Sequence, residues 1–368
     1  MVLFFAVLCF RTARSQDYDR FQLSLDLNFN AADAAVELFS GSSGNTKTIA
    51  ALKGCRIATA TTGLLAHRPL TEASLDSAFT AVKYNQDLGD DVFRMGDAKN
   101  NAGDIRDLLL DVKRKNFGQK VVSTVQQLFP PDARIMMRIP VFFVAFGHQN
   151  IDAFVRRVVW RDDEPFFVGE GEGTPTIVVN LAKGVHYGGS TDERFIGVMS
   201  VVAHEVFHAA FDAYKDNSPV WQSYFSRYRR PIDQLMELTQ NEGIAYYLSL
   251  IQRTRGRLVL DWATRARNAM DEYNARAEEL MTPGITGQRA RDIVQSANTS
   301  GYWENYGSIA GMVMAREIDR KLGPQALQQT IARGPAEFFL KYAEVVRMGS
   351  DAPPLSSRVL SLAQALQY

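Results

Sequence analysis

Cysteine is scarce in this sequence, and neither sign of charge is in excess. Only Cys9 and Cys55 occur among the 368 residues, too few for a disulfide framework or for a cysteine-rich zinc site that only holds a fold together. The 41 basic residues match the 41 acidic residues. We therefore expect no nucleic acid partner, because a polyanion is usually bound by an excess of positive charge.

Long apolar runs are also missing, because no stretch beyond the first ten residues holds 18 uninterrupted apolar residues. The sequence therefore predicts no transmembrane span. Residues 2–10 form a short apolar run, and the following residues Ala13 to Ser15 fit a signal-peptide cleavage site. We predict that residues 1–15 are a signal peptide and that the protein is exported, periplasmic or secreted. Because no lysine or arginine precedes the run, a truncated start and a buried terminal strand are the alternatives.

Hydrophobic residues make up 46% of the chain and charged residues 22%, a composition typical of a globular protein with a large core. Helical spacing of apolar residues prevails over residues 16–131, with a long helix expected over 102–128 and a break at Gly118. Residues 135–181 are rich in branched and aromatic side chains and indicate three or four strands. We predict an α+β, mostly helical fold with a small sheet. A helical part at 16–131 precedes a second part at 132–368, or forms one continuous domain with it.

The segment Phe195–Phe211 contains the most specific motif, the sequence HEVFH at residues 204–208. As a helix this segment is apolar on every side, and such a helix is buried. Burying bare ionisable side chains is unfavourable, so a divalent cation is the expected partner. Residues four apart share one helix face, which lets His204 and His208 bind one zinc ion while Glu205 stands beside it.

A zinc site of this kind needs a third protein ligand. The continuation that would supply a third histidine fails, because Phe211 and Tyr214 occupy the positions required for glycine and histidine. Glu242 lies on the next predicted helix, on a face with apolar residues at spacings of three or four, so its carboxylate is expected to point inward. We predict Glu242 as the third ligand. The other candidates are Glu237, Glu272 and His186.

Three segments carry a resemblance to a known group of proteins. They are HEVFH at 204–208, NEGIA at 241–245, and the helix of residues 302–315 that precedes Glu317, Ile318 and Gly323. Over residues 135–342 the chain resembles gluzincin-type domain families of unknown function that are described as zinc-dependent peptidases. The resemblance implies a mixed sheet in which an edge strand beside the zinc helix binds the substrate backbone, and Thr176–Leu181 matches that strand. Tyr246 departs from the Glu-x-x-x-Asp pattern of larger gluzincins, which leaves Asp212 as a candidate for the carboxylate that supports a ligand.

Two histidines and one carboxylate leave one position on zinc open for water, an arrangement suited to the hydrolysis of an amide bond. We predict a zinc metallopeptidase that hydrolyses a peptide or protein substrate, with Glu205 as the general base. A group that stabilises the developing oxyanion is also expected. The candidates for it are Tyr302, Tyr306 and His186.

Two other functions stay open on the sequence alone. In the first, zinc only holds helices together in a binding protein; such a site usually has four protein ligands, often cysteines, and would give Glu205 no task. In the second, a zinc hydrolase acts on an amide or ester that is not a peptide. The sequence does not indicate the substrate preference, the choice between exopeptidase and endopeptidase action, or the oligomeric state.

Overall fold

The computed structural model describes residues 21–150, 152–169, 171–254, 257–300 and 302–366. The predicted signal peptide at residues 1–15 lies outside the described residues, so export stays a prediction. The fold is α+β and mostly helical, as predicted. The strands are β1 (Phe21–Asn28), β2 (Ile135–Val144), β3 (Ala153–Arg161), β4 (Glu164–Phe167) and β5 (Thr174–Asn180).

Helices account for most of the rest of the described chain. Ahead of β2 they are α1 (Asn30–Phe39), α2 (Thr46–Ala50), α3 (Lys53–Leu65), α4 (Glu72–Lys83), α5 (Met95–Asn100), α6 (Ala102–Arg114) and α7 (Phe117–Gln126). After β5 they are α8 (Leu181–Gly184), α9 (Thr191–Asn217), α10 (Pro219–Arg227), α11 (Pro231–Thr254), α12 (Trp262–Leu280), α13 (Gly287–Thr299), α14 (Tyr306–Leu322), α15 (Pro324–Arg333), α16 (Pro335–Arg347) and α17 (Ser357–Ala365). A short 3₁₀ helix at Val185–Tyr187 joins α8 to the loop before α9.

The five strands form one mixed sheet in the order β1-β2-β5-β3-β4. Strands β1, β2 and β5 are parallel, whereas β3 is antiparallel to both β5 and β4. The strand predicted as the edge strand, Thr176–Leu181, corresponds to β5 and lies inside the sheet, so that prediction is wrong. Strand β3 lies beside α9 and has an open edge along its first half. Strand β4 pairs only with the second half of β3, from Val158 to Arg161.

The part predicted as helical, residues 16–131, contains strand β1, which was not predicted. Its signal is the alternation of apolar Phe21, Leu23, Leu25 and Leu27 with more exposed polar residues, the period of two that marks a strand. The core continues across residues 131 and 132, since the Phe129 ring lies 5.7 Å from that of Phe207 and 6.3 Å from that of Phe211 on α9. The helical front part and the later part thus share one hydrophobic core.

The break expected at Gly118 lies two residues earlier than predicted. Helix α6 ends at Arg114 and α7 begins at Phe117, with Asn116 between them in the left-handed region (φ 53°). Asparagine tolerates this conformation better than most residues. Gly118 instead lies inside α7 and packs against Leu27 of β1, so a helix break there would cost a contact with the sheet.

Helix α9 is the buried centre of the molecule. It begins with a capping box, in which Ser190 Oγ accepts from the Glu193 N–H and Glu193 Oε2 accepts from the Ser190 N–H. Among the described residues it is the one helix long and apolar enough to cross a membrane by length and composition, but 67% of its most apolar window is buried inside the protein. The apolar surface of α9 is therefore buried by packing in the core.

Helices α11 and α14 approach each other unusually closely at two glycines. A Cβ atom on Gly311 of α14 would lie 2.8 Å from the Cα atom of Gly243 on α11 and would overlap the carbonyl oxygen of Thr239. Only glycine at both positions permits this approach. The contact fixes α11 at the residue next to Glu242.

Candidate metal centre and its cavity

Three side chains from two helices converge on one point. His204 and His208 lie one turn apart on α9, and their Nε2 atoms are 3.0 Å apart. The Oε2 atom of Glu242, on α11, is 3.8 Å from His204 Nε2 and 3.4 Å from His208 Nε2. All three side chains retain some exposure, between 15% and 17%.

These distances fit a shared metal ion. Zinc is bound by imidazole and carboxylate groups at about 2.0–2.2 Å, and a tetrahedral arrangement would then separate the ligand atoms by roughly 3.3 Å. One nitrogen or oxygen atom from each of His204, His208 and Glu242 lies within 4.8 Å of the others, and the three residues form a group that could hold a metal ion. Two imidazoles and one carboxylate are the ligand set of many catalytic zinc sites. The residues present therefore fit zinc.

Helices α9 and α11 run antiparallel, and this places the ligands opposite one another. Ser249 Oγ of α11 donates to the Ser200 carbonyl of α9, whereas the later residue Lys215 of α9 binds the earlier residue Glu237 of α11. Residue numbers therefore rise along α9 where they fall along α11. Lys215 is almost completely buried, although it is charged, because Glu237 and Asp212 both lie 2.8 Å from its Nζ atom. This ion pair joins the two ligand-bearing helices.

Hydrogen bonds orient each ligand from behind. His208 Nδ1 donates to Asn241 Oδ1 at 2.9 Å, which leaves His208 Nε2 free to face the metal position. Asn298 of α13 lies close enough to the Glu242 carboxylate to help lower its pKa, and Ser308 donates to Asn298 Oδ1 at 2.7 Å. Such supporting residues fix the direction of a ligand and its protonation state.

The charges of the three candidate ligands shift one another's pKa values. Burial lowers the pKa of His204 to about 4, and the charge of His208 adds to this effect. Burial alone would also lower the pKa of His208, but the charge of Glu242 and hydrogen bonds to Glu242 and Asn241 outweigh it and raise that pKa to about 9. The pKa of Glu242 is lowered because the positive charge of His208 outweighs the effect of burial. These shifts favour a proton on His208 beside an ionised Glu242.

Glu205 lies next to this group without joining it. Its Oε2 atom accepts a hydrogen bond from the backbone N–H of Val155 on β3, at 3.2 Å. Burial raises the pKa of Glu205 to about 7, although His208 and the Val155 N–H both act in the opposite direction. A carboxyl group with a pKa near neutrality is suited to accepting and returning a proton.

The metal group lies at the wall of an open cavity of about 600 Å³. The start of β3, the ligand faces of α9 and α11, and the stretch around Tyr302 enclose it. Two guanidinium groups, those of Arg156 on β3 and Arg253 on α11, also line it. The cavity therefore gives solvent, and a ligand larger than water, access to His204, His208 and Glu205.

The structure separates the candidates for an oxyanion-stabilising residue. Tyr302 lines the cavity, 41% exposed, with its ring stacked 5.0 Å from that of Tyr246. Tyr306 does not line it: this residue is buried, and its hydroxyl group donates to the Ile293 carbonyl at 2.6 Å. Tyr306 therefore packs in the core and is not placed to stabilise an oxyanion, the role predicted for it.

The alternative third ligands lie away from the metal group. His186 contacts Asp97 at 3.2 Å, Glu237 binds Lys215, and Glu272 pairs with Arg276 on the surface of α12. Asp212 lines the cavity, but its partner is Lys215 rather than His204. The backbone of Ala245 lies close enough to the His204 ring to act on its pKa.

Several residues of the site were not identified from the sequence. The sequence contains a weak indication that Arg253 belongs to the site. It shares one face of α11 with Glu242, since the residues of that face follow at spacings of four, three and four: Glu242, Tyr246, Ser249 and Arg253. The sequence contains no such indication for Asn298, because no pattern near this residue shows that α13 packs behind Glu242.

Comparison with known proteins agrees with this geometry. A family model described as "Putative zinc dependent peptidase (DUF5700)" matches residues 48–350, more than four fifths of the chain. The matched region includes His204, Glu205, His208 and Glu242, and it begins well before the segment that carries the sequence resemblance. No curated protein and no solved structure matches the chain. Because one family model covers most of its length, the chain belongs to the DUF5700 family of zinc-dependent peptidase-like proteins.

Proposed function

We propose that this protein is a zinc metallopeptidase that hydrolyses peptide bonds. The observation that carries the proposal is Glu205, a carboxyl group with a raised pKa beside a group of three potential ligands, facing an open cavity. A zinc site that only held helices together would need no such group and would usually have a fourth protein ligand.

The roles of the side chains follow from their positions. His204, His208 and Glu242 would hold the zinc ion, which when bound supplies a Lewis acid that polarises a carbonyl group and acidifies water. Glu205 accepts the proton of the attacking water and returns it to the amine that leaves. Tyr302 is the candidate for stabilising the charge that develops on the carbonyl oxygen, because it lines the same cavity.

The open edge of β3 favours a peptide over other amides. Val155 directs its N–H away from β5 and toward Glu205, and the first half of β3 has no strand on that side within the described residues. An extended peptide could add to this edge through main-chain hydrogen bonds. Its backbone would then pass directly over the metal group. Strand β3 thus takes the substrate-binding role that the sequence resemblance implies for Thr176–Leu181.

The test replaces Glu205 by glutamine, which keeps the size of the side chain and removes the base. The zinc-loaded wild type should cleave members of a degenerate peptide library, and Glu205→Gln should cleave them roughly 10²–10⁴-fold more slowly. Zinc content and thermal stability should stay close to those of the wild type, which separates loss of the base from loss of the metal.

Two results would count against the proposal. If the fully zinc-loaded wild type cleaves no peptide but hydrolyses other amides or esters, the substrate class is wrong. If Glu205→Gln cleaves as fast as the wild type, the role of Glu205 is wrong.

A further inference from the structure

Two cationic side chains of the cavity form no ion pair with any residue that the structure describes. Neither Arg156 nor Arg253 takes part in an ion pair within 4.0 Å among the described residues, although both line the cavity. The Asp212 carboxylate, which also lines the cavity, is paired with Lys215 and not with either arginine. A guanidinium group that faces a binding cavity without a carboxylate partner is suited to a carboxylate on the ligand, because its planar N–H groups match the two oxygens.

The surroundings of the two arginines differ. Arg156 donates to the Val155 carbonyl at 3.0 Å, and its guanidinium lies 3.8 Å from the centre of the Phe154 ring. Its charge also acts on Glu205, so Arg156 lies near the reacting position. Arg253 lies 4.2 Å from the Tyr187 ring and is exposed to the cavity. The backbone of Arg253 lies eleven residues beyond Glu242, which corresponds to about 16 Å along α11, but its guanidinium is close enough to act on the pKa of His204.

Arg253 lies at the end of the cavity where β3 begins. The hydroxyl group of Tyr187 is close enough to both Arg253 and Asp152 for each to act on its pKa, and Asp152 immediately precedes Ala153, the first residue of β3. Antiparallel strand pairs are two to three times more frequent than parallel ones. A peptide that pairs antiparallel with β3 and is cleaved near Val155 would therefore extend its carboxyl-terminal side toward Asp152 and Arg253.

We propose that Arg253 binds a carboxylate group of the substrate on the carboxyl-terminal side of the cleaved bond. The carboxylate belongs either to a glutamate or aspartate side chain or to the end of the peptide itself. This inference rests on the proposed peptidase function, because it uses the peptide direction that β3 imposes. It identifies the substrates as peptides with a negative charge after the cleaved bond.

Asp152 supplies a control of opposite sign. Asp152 lines the same cavity and acts on the same Tyr187 hydroxyl as Arg253, so its carboxylate repels a carboxylate ligand bound to Arg253. Replacing it by asparagine should strengthen the binding of negatively charged peptides, whereas Arg253→Gln should weaken it. A general disturbance of the cavity would not produce changes of opposite sign.

The experiment measures binding without turnover. Zinc-loaded Glu205→Gln protein is mixed with fluorescent peptide pools that carry glutamate or glutamine at one fixed position, each made with a free or an amidated carboxyl terminus. We expect Arg253→Gln, added to this background, to weaken the binding of carboxylate-bearing pools by about 10- to 100-fold, as for a lost hydrogen bond to a charged group. Neutral amidated pools should bind unchanged.

Arg257→Gln is the matched control, since Arg257 is exposed and lies outside the cavity. Discrimination between glutamate and glutamine identifies an acidic side chain as the ligand, and discrimination between free and amidated ends identifies the terminal carboxylate. Equal binding of all four pools, or equal weakening of all four by Arg253→Gln, would overturn the inference.

The two proposals fail separately in this design. If the wild type cleaves nothing but the Arg253-dependent preference is present, the peptidase proposal fails and the carboxylate site stands. If the wild type cleaves charged and neutral peptides at the same rate and binds them equally, the carboxylate site fails and the peptidase proposal stands.

Discussion

His208 presents only one of its ring nitrogens to the metal position, because the other donates to Asn241. Asn298 lies beside the Glu242 carboxylate and acts on its pKa, and Ser308 donates to Asn298 in turn. Both ligands are therefore oriented before a metal ion binds. Orientation of this kind typically contributes about 10- to 100-fold to metal affinity.

Glu242→Gln tests the third ligand. The neutral amide is a poorer zinc ligand than a carboxylate, so zinc affinity should fall by more than the roughly 10- to 100-fold that the loss of a supporting hydrogen bond costs. Competition with a chromogenic chelator measures the change. Glu272→Gln, on the surface of α12 and paired with Arg276, is the matched control and should bind zinc like the wild type. Release of zinc by His186→Ala, with Glu242→Gln silent, would show that the third ligand has been misassigned.

Zinc affinity should rise with pH below about 9. The raised pKa of His208, about 9 in the metal-free chain, means that the ring carries a proton at neutral pH, and zinc can bind only after that proton leaves. The apparent affinity should therefore increase about tenfold for each pH unit between 6 and 8 and level off above the pKa. Chelator competition, corrected for the protonation of the chelator, measures this slope. An affinity that does not change over this range would contradict the protonated state of His208.

At the level of secondary structure, the site depends on how closely α11 can approach its neighbours. The ion pair between Lys215 and Glu237 joins α11 to α9, and the contact between Gly243 and Gly311 joins it to α14. Glu242 lies beside the second contact. Any change that moves α11 away from α14 therefore moves a metal ligand.

Gly311→Ala should disturb both stability and zinc binding. The added methyl group would overlap the Thr239 carbonyl oxygen and crowd the Gly243 Cα atom, and overpacking of this kind typically costs about 1–3 kcal/mol of unfolding free energy. Because the backbones must separate, zinc affinity should fall as well. The control is Gly103→Ala on α6, where the new Cβ atom meets no atom within 4 Å; it should leave zinc affinity unchanged and stability equal or slightly higher. Wild-type zinc affinity in a folded Gly311→Ala protein would refute this coupling.

Local patterns in the sequence predicted most of the helices and the group of His204, His208 and Glu242 that could hold a metal ion, because the inward face of each helix depends on spacing within that helix. The spacing of His204 and His208 and the inward face of Glu242 needed only helical geometry. The position of Thr176–Leu181 within the sheet was not predictable in the same way, because strand order depends on pairings between distant segments. The same reason explains why Asn298 and Arg156 were missed, since only tertiary packing brings them to the cavity.

At the level of the whole molecule, the ligands belong to two helices that share one core with the sheet. A metal ion that binds only the folded chain stabilises it, by about 2.7 kcal/mol when its free concentration is 100 times the dissociation constant. Removal of zinc with a chelator should therefore lower the midpoint of thermal unfolding by several degrees, and zinc should restore it. His204→Ala and His208→Ala should show no such response in differential scanning fluorimetry. A midpoint that shifts equally in these variants would indicate that zinc acts elsewhere.

The pairing of β1 with β2 also constrains the order in which the molecule can be assembled. Phe21 pairs with Ile135, and Asn28 with Phe142, so β1 has no partner until the chain has been synthesised past residue 142. Closing so long a segment is entropically unfavourable, and proteins dominated by such distant contacts fold slowly. The supporting residue Asn298 follows the sheet by more than a hundred residues. A nascent chain therefore contains all three candidate metal ligands before it contains Asn298, the residue that lies beside the Glu242 carboxylate.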